Sequence, residues 1–138
     1  MRASIACLVL IALASACVPP VQALRYSPQP GRITQPEQEL KTLILANTVQ
    51  GCVTEPSVSG AMLVVKFVCT QAVGNAVVRF DQFESIELQQ QGPWFRVRVH
   101  HGKGPEDFVW DSKSLDDAQR MADAIVALVN RASAPDLK

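Results

Sequence analysis

The run Trp94–His101, WFRVRVHH, alternates apolar and polar residues along its length. Successive side chains of a strand point to opposite sides. Phe95, Val97 and Val99 therefore share one face, and Trp94, Arg96, Arg98 and His100 share the other. Such a segment settles as a half-buried strand in a sheet whose apolar face needs a cover. The chain supplies one. Ser114 followed by LDDAQRMADAIVALVNR predicts a capped amphipathic helix, with Asp116 and Asp117 in its positive first turn. Its stripe is Leu115, Ala118, Ala122, Ile125 and Val129, widened by Met121 and Leu128, while Arg120, Asp123 and Asn130 are expected in water.

Other segments fill in the sheet. Residues 61–69, AMLVVKFVC, read as a central strand. Residues 76–80 and 85–90 read as two more, with Ile86 and Leu88 facing one way and Glu87 and Gln89 the other. Phe108 and Trp110 make a short fifth strand, with Asp107 and Asp111 opposite. Turns are expected at Gly74-Asn75, Gly92-Pro93 and Gly102-Lys103-Gly104-Pro105, and a break at Glu55-Pro56-Ser57. Thr34-Gln35-Pro36-Glu37 predicts a helix start, and Leu40, Leu43, Ile44 and Asn47 carry a first helix over about 36–48. The expected class is α+β: an antiparallel meander sheet of four to five strands, with an N-terminal helix and a C-terminal amphipathic helix packed on it. The single domain spans 36–132, and 133–138 is a frayed tail.

The N-terminus sets the compartment. After Arg2, residues 5–16 are apolar or small and uncharged. As a helix they rise about 18 Å, too short for a hydrocarbon core of about 30 Å. This is the pattern of a cleaved secretory signal peptide. Ala14-Ser15-Ala16 directly precedes Cys17, and here the leader resembles that of a bacterial lipoprotein precursor. That family usually carries Leu or Val three residues before its cysteine; this chain has Ala14. The resemblance implies a signal peptide over 1–16 and a lipidated Cys17. Val18 follows where Asp would be the exception, which implies the periplasmic face of the outer membrane of a Gram-negative bacterium. Residues 17–35 are then the lipidated cysteine and a tether. Pro19, Pro20, Pro28 and Pro30 keep it extended, with a reach of at most roughly 60 Å. The alternative is cleavage after Val21-Gln22-Ala23, giving a soluble periplasmic or secreted protein that starts at Leu24. Either way Cys52 and Cys69 remain in an oxidising compartment, where a disulfide is expected.

The pattern over 61–131 is similar to a pleckstrin-homology-like domain, a curved sheet closed by a C-terminal helix. Ile86 with Leu88, WFRVRV, FVW and SLDDAQRMADAIVALV carry the likeness. That fold has seven strands, two more than this pattern supplies. Fold does not fix function in any case.

Charge narrows the function. The chain has 13 basic and 13 acidic side chains, and loss of Arg2 with the leader leaves a net charge of −1. A nucleic-acid partner would want a basic patch and is not expected. Adjacent His100 and His101 point to opposite faces of a strand, Cys52 and Cys69 lack zinc spacing, and Asp107, Asp111, Asp116 and Asp117 do not fit a calcium loop. No nucleophile elbow or glycine-rich phosphate loop is present, so neither an enzyme nor a cofactor is expected. The candidate partner-binding surface is Trp94, Arg96, Arg98 and His100, because guanidinium groups hold carboxylates or phosphates bidentately and exposed Trp often marks a contact. The competing explanation pairs these arginines with Glu87 or Asp107 on neighbouring strands. The expectation is a lipid-anchored interaction or assembly module with an envelope protein partner. The alternative is a soluble domain that binds a small ligand in the cleft between sheet and helix, in an apolar pocket near Trp110 and Met121.

Overall fold

The structure, a computed structural model, describes residues 18–49 and 51–134. The leader, Cys17 and residues 135–138 lie outside the described residues, and so does the lipidation expectation at Cys17. Strand β1 is Val21–Leu24, and a 3-10 turn follows at Pro30–Arg32. Helix α1 is Pro36–Ala46. Strands β2 Cys52–Val58, β3 Met62–Cys69 and β4 Val73–Arg79 come next. A second 3-10 turn, Phe80–Gln82, leads into β5 Phe83–Gln91, β6 Trp94–His101 and β7 Phe108–Ser112. Helix α2, Leu115–Ser133, completes the described chain.

The class is α+β, with antiparallel strands and one helix towards each end. The strands divide between two sheets, in orders β1-β5-β6-β7 and β2-β3-β4. Two of these strands are additional to the sequence expectation, for different reasons. Strand β2 contains Pro56, which reads as a break. It is tolerated because β2 is an edge strand, where one side of the backbone needs no ladder bond. Strand β1 lies inside the stretch expected to be a tether. It pairs antiparallel with β5, from Val21 opposite Gln91 to Leu24 opposite Leu88. Most of residues 18–35 therefore belongs to the folded domain rather than to a free leash.

Turns follow local chemistry, with one correction. Gly92 takes φ +57° at the first position of the two-residue β5–β6 loop, as a type II′ hairpin turn requires. Gly74 is not in a turn. It sits within β4 directly opposite Phe67, and a Cβ there would come within 2.9 Å of the ring's Cζ. Glycine lets that ring lie close against its neighbour strand.

Inward residues of both sheets and both helices form one core. Leu63, Val65 and Val78 come from the three-stranded sheet, and Leu88, Val97, Val99 and Phe108 from the other. Leu40, Leu43 and Ile44 of α1 meet Met121, Ile125 and Leu128 of α2. Burial of Val97 and Val99 agrees with the alternation that predicts β6. The helix caps agree in part. The Ser114 hydroxyl accepts from the Asp117 amide as expected. At α1 the N-cap is Gln35, with no side-chain cap, and Thr34 does not serve. Glu37 and Glu39 pair instead with Arg131 and Arg120 of α2, at 2.7 and 2.5 Å. Asn47, placed in the apolar stripe by sequence, is the C-cap of α1. Its amide donates to the Leu43 carbonyl and to Asp117, and its carbonyl accepts from buried Ser112. Cys52 and Cys69 face each other across β2 and β3 and form the disulfide. Closing that loop is worth about 3 kcal/mol by loop-closure entropy.

The largest departure is in α2. Leu115 is 40% exposed, whereas Asp123 is fully buried. The Tyr26 hydroxyl and the Gln29 amide both donate to Asp123 Oδ1, each at 2.6 Å, and Arg32 Nε–H donates to Oδ2. Isolated, a buried carboxylate would cost several kcal/mol; here every donor comes from the segment between β1 and α1. Burial, then the hydrogen bond and charge of Asp123, raises the Tyr26 phenol to about 12. Burial works to lower the Arg32 guanidinium, but the bond and charge of Asp123 outweigh it and the net shift is upward.

Two outcomes follow from this clasp. Asp123→Ala leaves three donors without their acceptor and should cost about 3 kcal/mol, read as a lower urea midpoint, with new protease cleavage near residues 25–33. The Tyr26 phenol is stabilised in its neutral form. Its contribution is fully present below pH 10 and is lost as pH rises through about 12. Tyr26 is the single tyrosine of the chain, so tyrosinate absorbance reports this group alone, and Tyr26→Phe should remove its share of the alkaline loss of stability.

Candidate functional site

The polar face of β6 projects as the alternation predicts, and neighbouring strands then neutralise it. Arg96 lies in register with Asp111 of β7 and holds it bidentately, Nε to Oδ1 at 2.7 Å and Nη2 to Oδ2 at 2.9 Å. The hydrogen bond to Asp111 raises the Arg96 guanidinium further, against a smaller opposing effect of burial. Arg98 Nη1 is 3.5 Å from Asp107 Oδ2, and its buried Nε has no partner among the described residues. His100 sits between two carboxylates, 2.8 Å from Asp107 and 3.2 Å from Glu87. Trp94 remains 42% exposed, with the Lys113 ammonium 5.1 Å from its ring centroid. The structure thus gathers Trp94, Arg96, Arg98 and His100 on one face, with Asp111, Asp107 and Glu87 beside the two arginines and the imidazole.

His101 points the other way and serves the fold. The Arg79 amide donates to its Nε2 at 3.1 Å, so that nitrogen is unprotonated and Nδ1 carries the hydrogen, 3.2 Å from the Glu106 carbonyl. The ring thereby joins the end of β4 to the β6–β7 loop. No group of three or more His, Cys, Asp or Glu side chains among the described residues is arranged to hold a metal ion.

A second surface was legible in the sequence only through Trp110. Between β7 and the inner face of the three-stranded sheet lies an open cleft of about 710 Å³. Val65, Phe67 and Ala76 form one wall, and Phe108, Val109 and Trp110 the other. The disulfide and the end of α1, from Ile44 to Val49, close one side, while Trp94 and Lys113 stand at another. It exists because β7 is an edge strand of one sheet facing a different sheet, so the space beside it has no strand to fill it. The pocket expected near Trp110 is therefore present, but it opens between the sheets. Met121 is wholly buried in the core and does not line it. Lys113, Phe67 and Val49 carry no sequence signal for this role, since a cleft wall and a core face have the same period-two pattern.

Comparison of the chain with protein-family models, with curated proteins and with solved structures gives no match.

Because Arg96 and Asp111 form a half-exposed cross-strand pair, Arg96→Ala should cost only about 1 kcal/mol in urea unfolding. It should also leave the environments of both tryptophans nearly unchanged by fluorescence.

Proposed function

We propose that this chain is a lipid-anchored envelope protein, held through Cys17 at the periplasmic face of the outer membrane, and that it acts as a binding module through its apolar cleft. The cleft carries the binding half of this reading: a concave, largely apolar space of about 710 Å³ beside two tryptophans. That size and character suit a ligand site. The charged face of β6 is the weaker candidate, because a partner would have to displace Asp111, Asp107 and Glu87 from their present bonds.

Strand β1 supports the anchoring half. Cleavage after Ala23 would remove three of the four residues that pair with β5 and leave only Leu24. Cleavage before Cys17 keeps the strand whole. The link from Cys17 is then Val18, Pro19 and Pro20, a reach of roughly 10 Å rather than a long leash. Pro19 is already fixed: its carbonyl accepts from Gln91 Nε2 at 3.1 Å. The domain would therefore ride close to the headgroups, with its Gly92 hairpin nearby.

The intact mass of protein made in a Gram-negative host tests this directly. The expected species comes from the membrane fraction, begins at Cys17, carries diacylglycerol and an acyl chain, and is two hydrogens short for the disulfide. An unmodified soluble species beginning at Leu24 would overturn the anchor and place the cleft on a soluble protein.

A further inference from the structure

The cleft has a chemical bias that identifies a class of ligand. Besides the two indoles, its polar lining side chains among the described residues are Asn47, Thr48, Thr54, Asp111 and Lys113. Four of them are already engaged within the fold. Asn47 bonds the Leu43 carbonyl, Asp117 and Ser112. The Thr48 and Thr54 hydroxyls bond each other at 2.9 Å. Both carboxylate oxygens of Asp111 accept from Arg96. Lys113 differs: it is exposed, lies over the Trp94 ring and forms no ion pair among the described residues. A molecule entering the cleft meets hydrocarbon and aromatic walls and one available charged donor at the rim.

We propose that the cleft binds a single-chain anionic amphiphile of the fatty-acid class, with its tail between β7 and the three-stranded sheet and its carboxylate on Lys113. This deepens the reading of the cleft as the binding site and rests on it. The tail buries apolar surface that the fold leaves open. The carboxylate gains a charge-assisted hydrogen bond from an ammonium that gives up no ion pair to make it. The cation–π contact with Trp94 holds that ammonium at the rim rather than free in solvent. A neutral apolar ligand would use the walls but not the charge, and a dianionic one would bring more charge than the single lysine balances.

The chain reports on its own site, since both of its tryptophans, Trp94 and Trp110, line the cleft. The experiment titrates dodecanoate and dodecan-1-ol, below their aggregation limits, into the mature chain carrying Cys17→Ser. That substitution keeps any N-terminal acyl chain from competing. Dodecanoate should shift tryptophan emission saturably. Lys113→Met should weaken it by about tenfold, and Lys113→Arg should restore it. Dodecan-1-ol should bind both the Cys17→Ser protein and its Lys113→Met form equally. Ala76→Phe, with unchanged circular dichroism, should abolish both shifts by filling the wall. Dodecanoate binding that ignores Lys113→Met would overturn the anionic assignment while leaving the cleft as an apolar site. Absence of a saturable shift with either probe would overturn the amphiphile and the cleft reading together.

Discussion

A fully buried carboxylate on the closing helix fixes how the N-terminal part of this chain must run. Asp123 has no contact with water, so its charge has to be met inside the fold. Three donors meet it, from Tyr26, Gln29 and Arg32. They lie within seven residues of one another but more than ninety from Asp123 in sequence. The bonds therefore pin one short segment across α2. Such a pair adds little net stability compared with a well-packed apolar substitute, but it discriminates strongly among arrangements, because any other course for this segment strands a buried charge.

That constraint propagates. With residues 26–32 fixed on α2, the preceding residues arrive beside β5 and complete the four-stranded sheet as β1. The following residues enter α1, whose Glu37 and Glu39 reach Arg131 and Arg120 on the same helix. At the other end of α1, Asn47 and Ser112 tie its C-terminus to the end of β7, just before the Ser114 cap of α2. Both helices are thus positioned by polar contacts at their ends and by apolar packing between them. The three-stranded sheet joins through the shared core and through His101.

The same architecture separates two surfaces that look alike in composition. Across β6 and its neighbours, Arg96 is held by Asp111, Arg98 stands beside Asp107, and His100 lies between Asp107 and Glu87. Beside β7 the sheet ends, and a second sheet stands across a gap that neither fills. Among the described residues, Asn47, Thr48, Thr54 and Asp111 along that gap are engaged by other groups of the chain, whereas Lys113 forms no ion pair. What remains to recognise a partner there is hydrocarbon, two indoles and one ammonium.

Elements with a local cause were legible in the order of the residues. Alternation over Trp94–His101 sets β6 and its two faces, the Ser114 cap starts α2, and two cysteines in an oxidised chain form the disulfide. Period, capping and turn chemistry act over a few residues, so they can be read along the chain. Features that depend on distant partners emerge only in the folded chain. Pro56 belongs to a strand because β2 lies at an edge, and residues 21–24 form a strand because β5 offers one. Asp123 looks like a solvent-facing residue on a helical wheel. Five consecutive buried residues, from Met121 to Ile125, are possible only when α1, the Pro30–Arg32 turn and the sheet surround that part of the helix. The candidate cleft belongs to this second class: its walls come from separate sheets, and no pattern along one strand records which strand will face it.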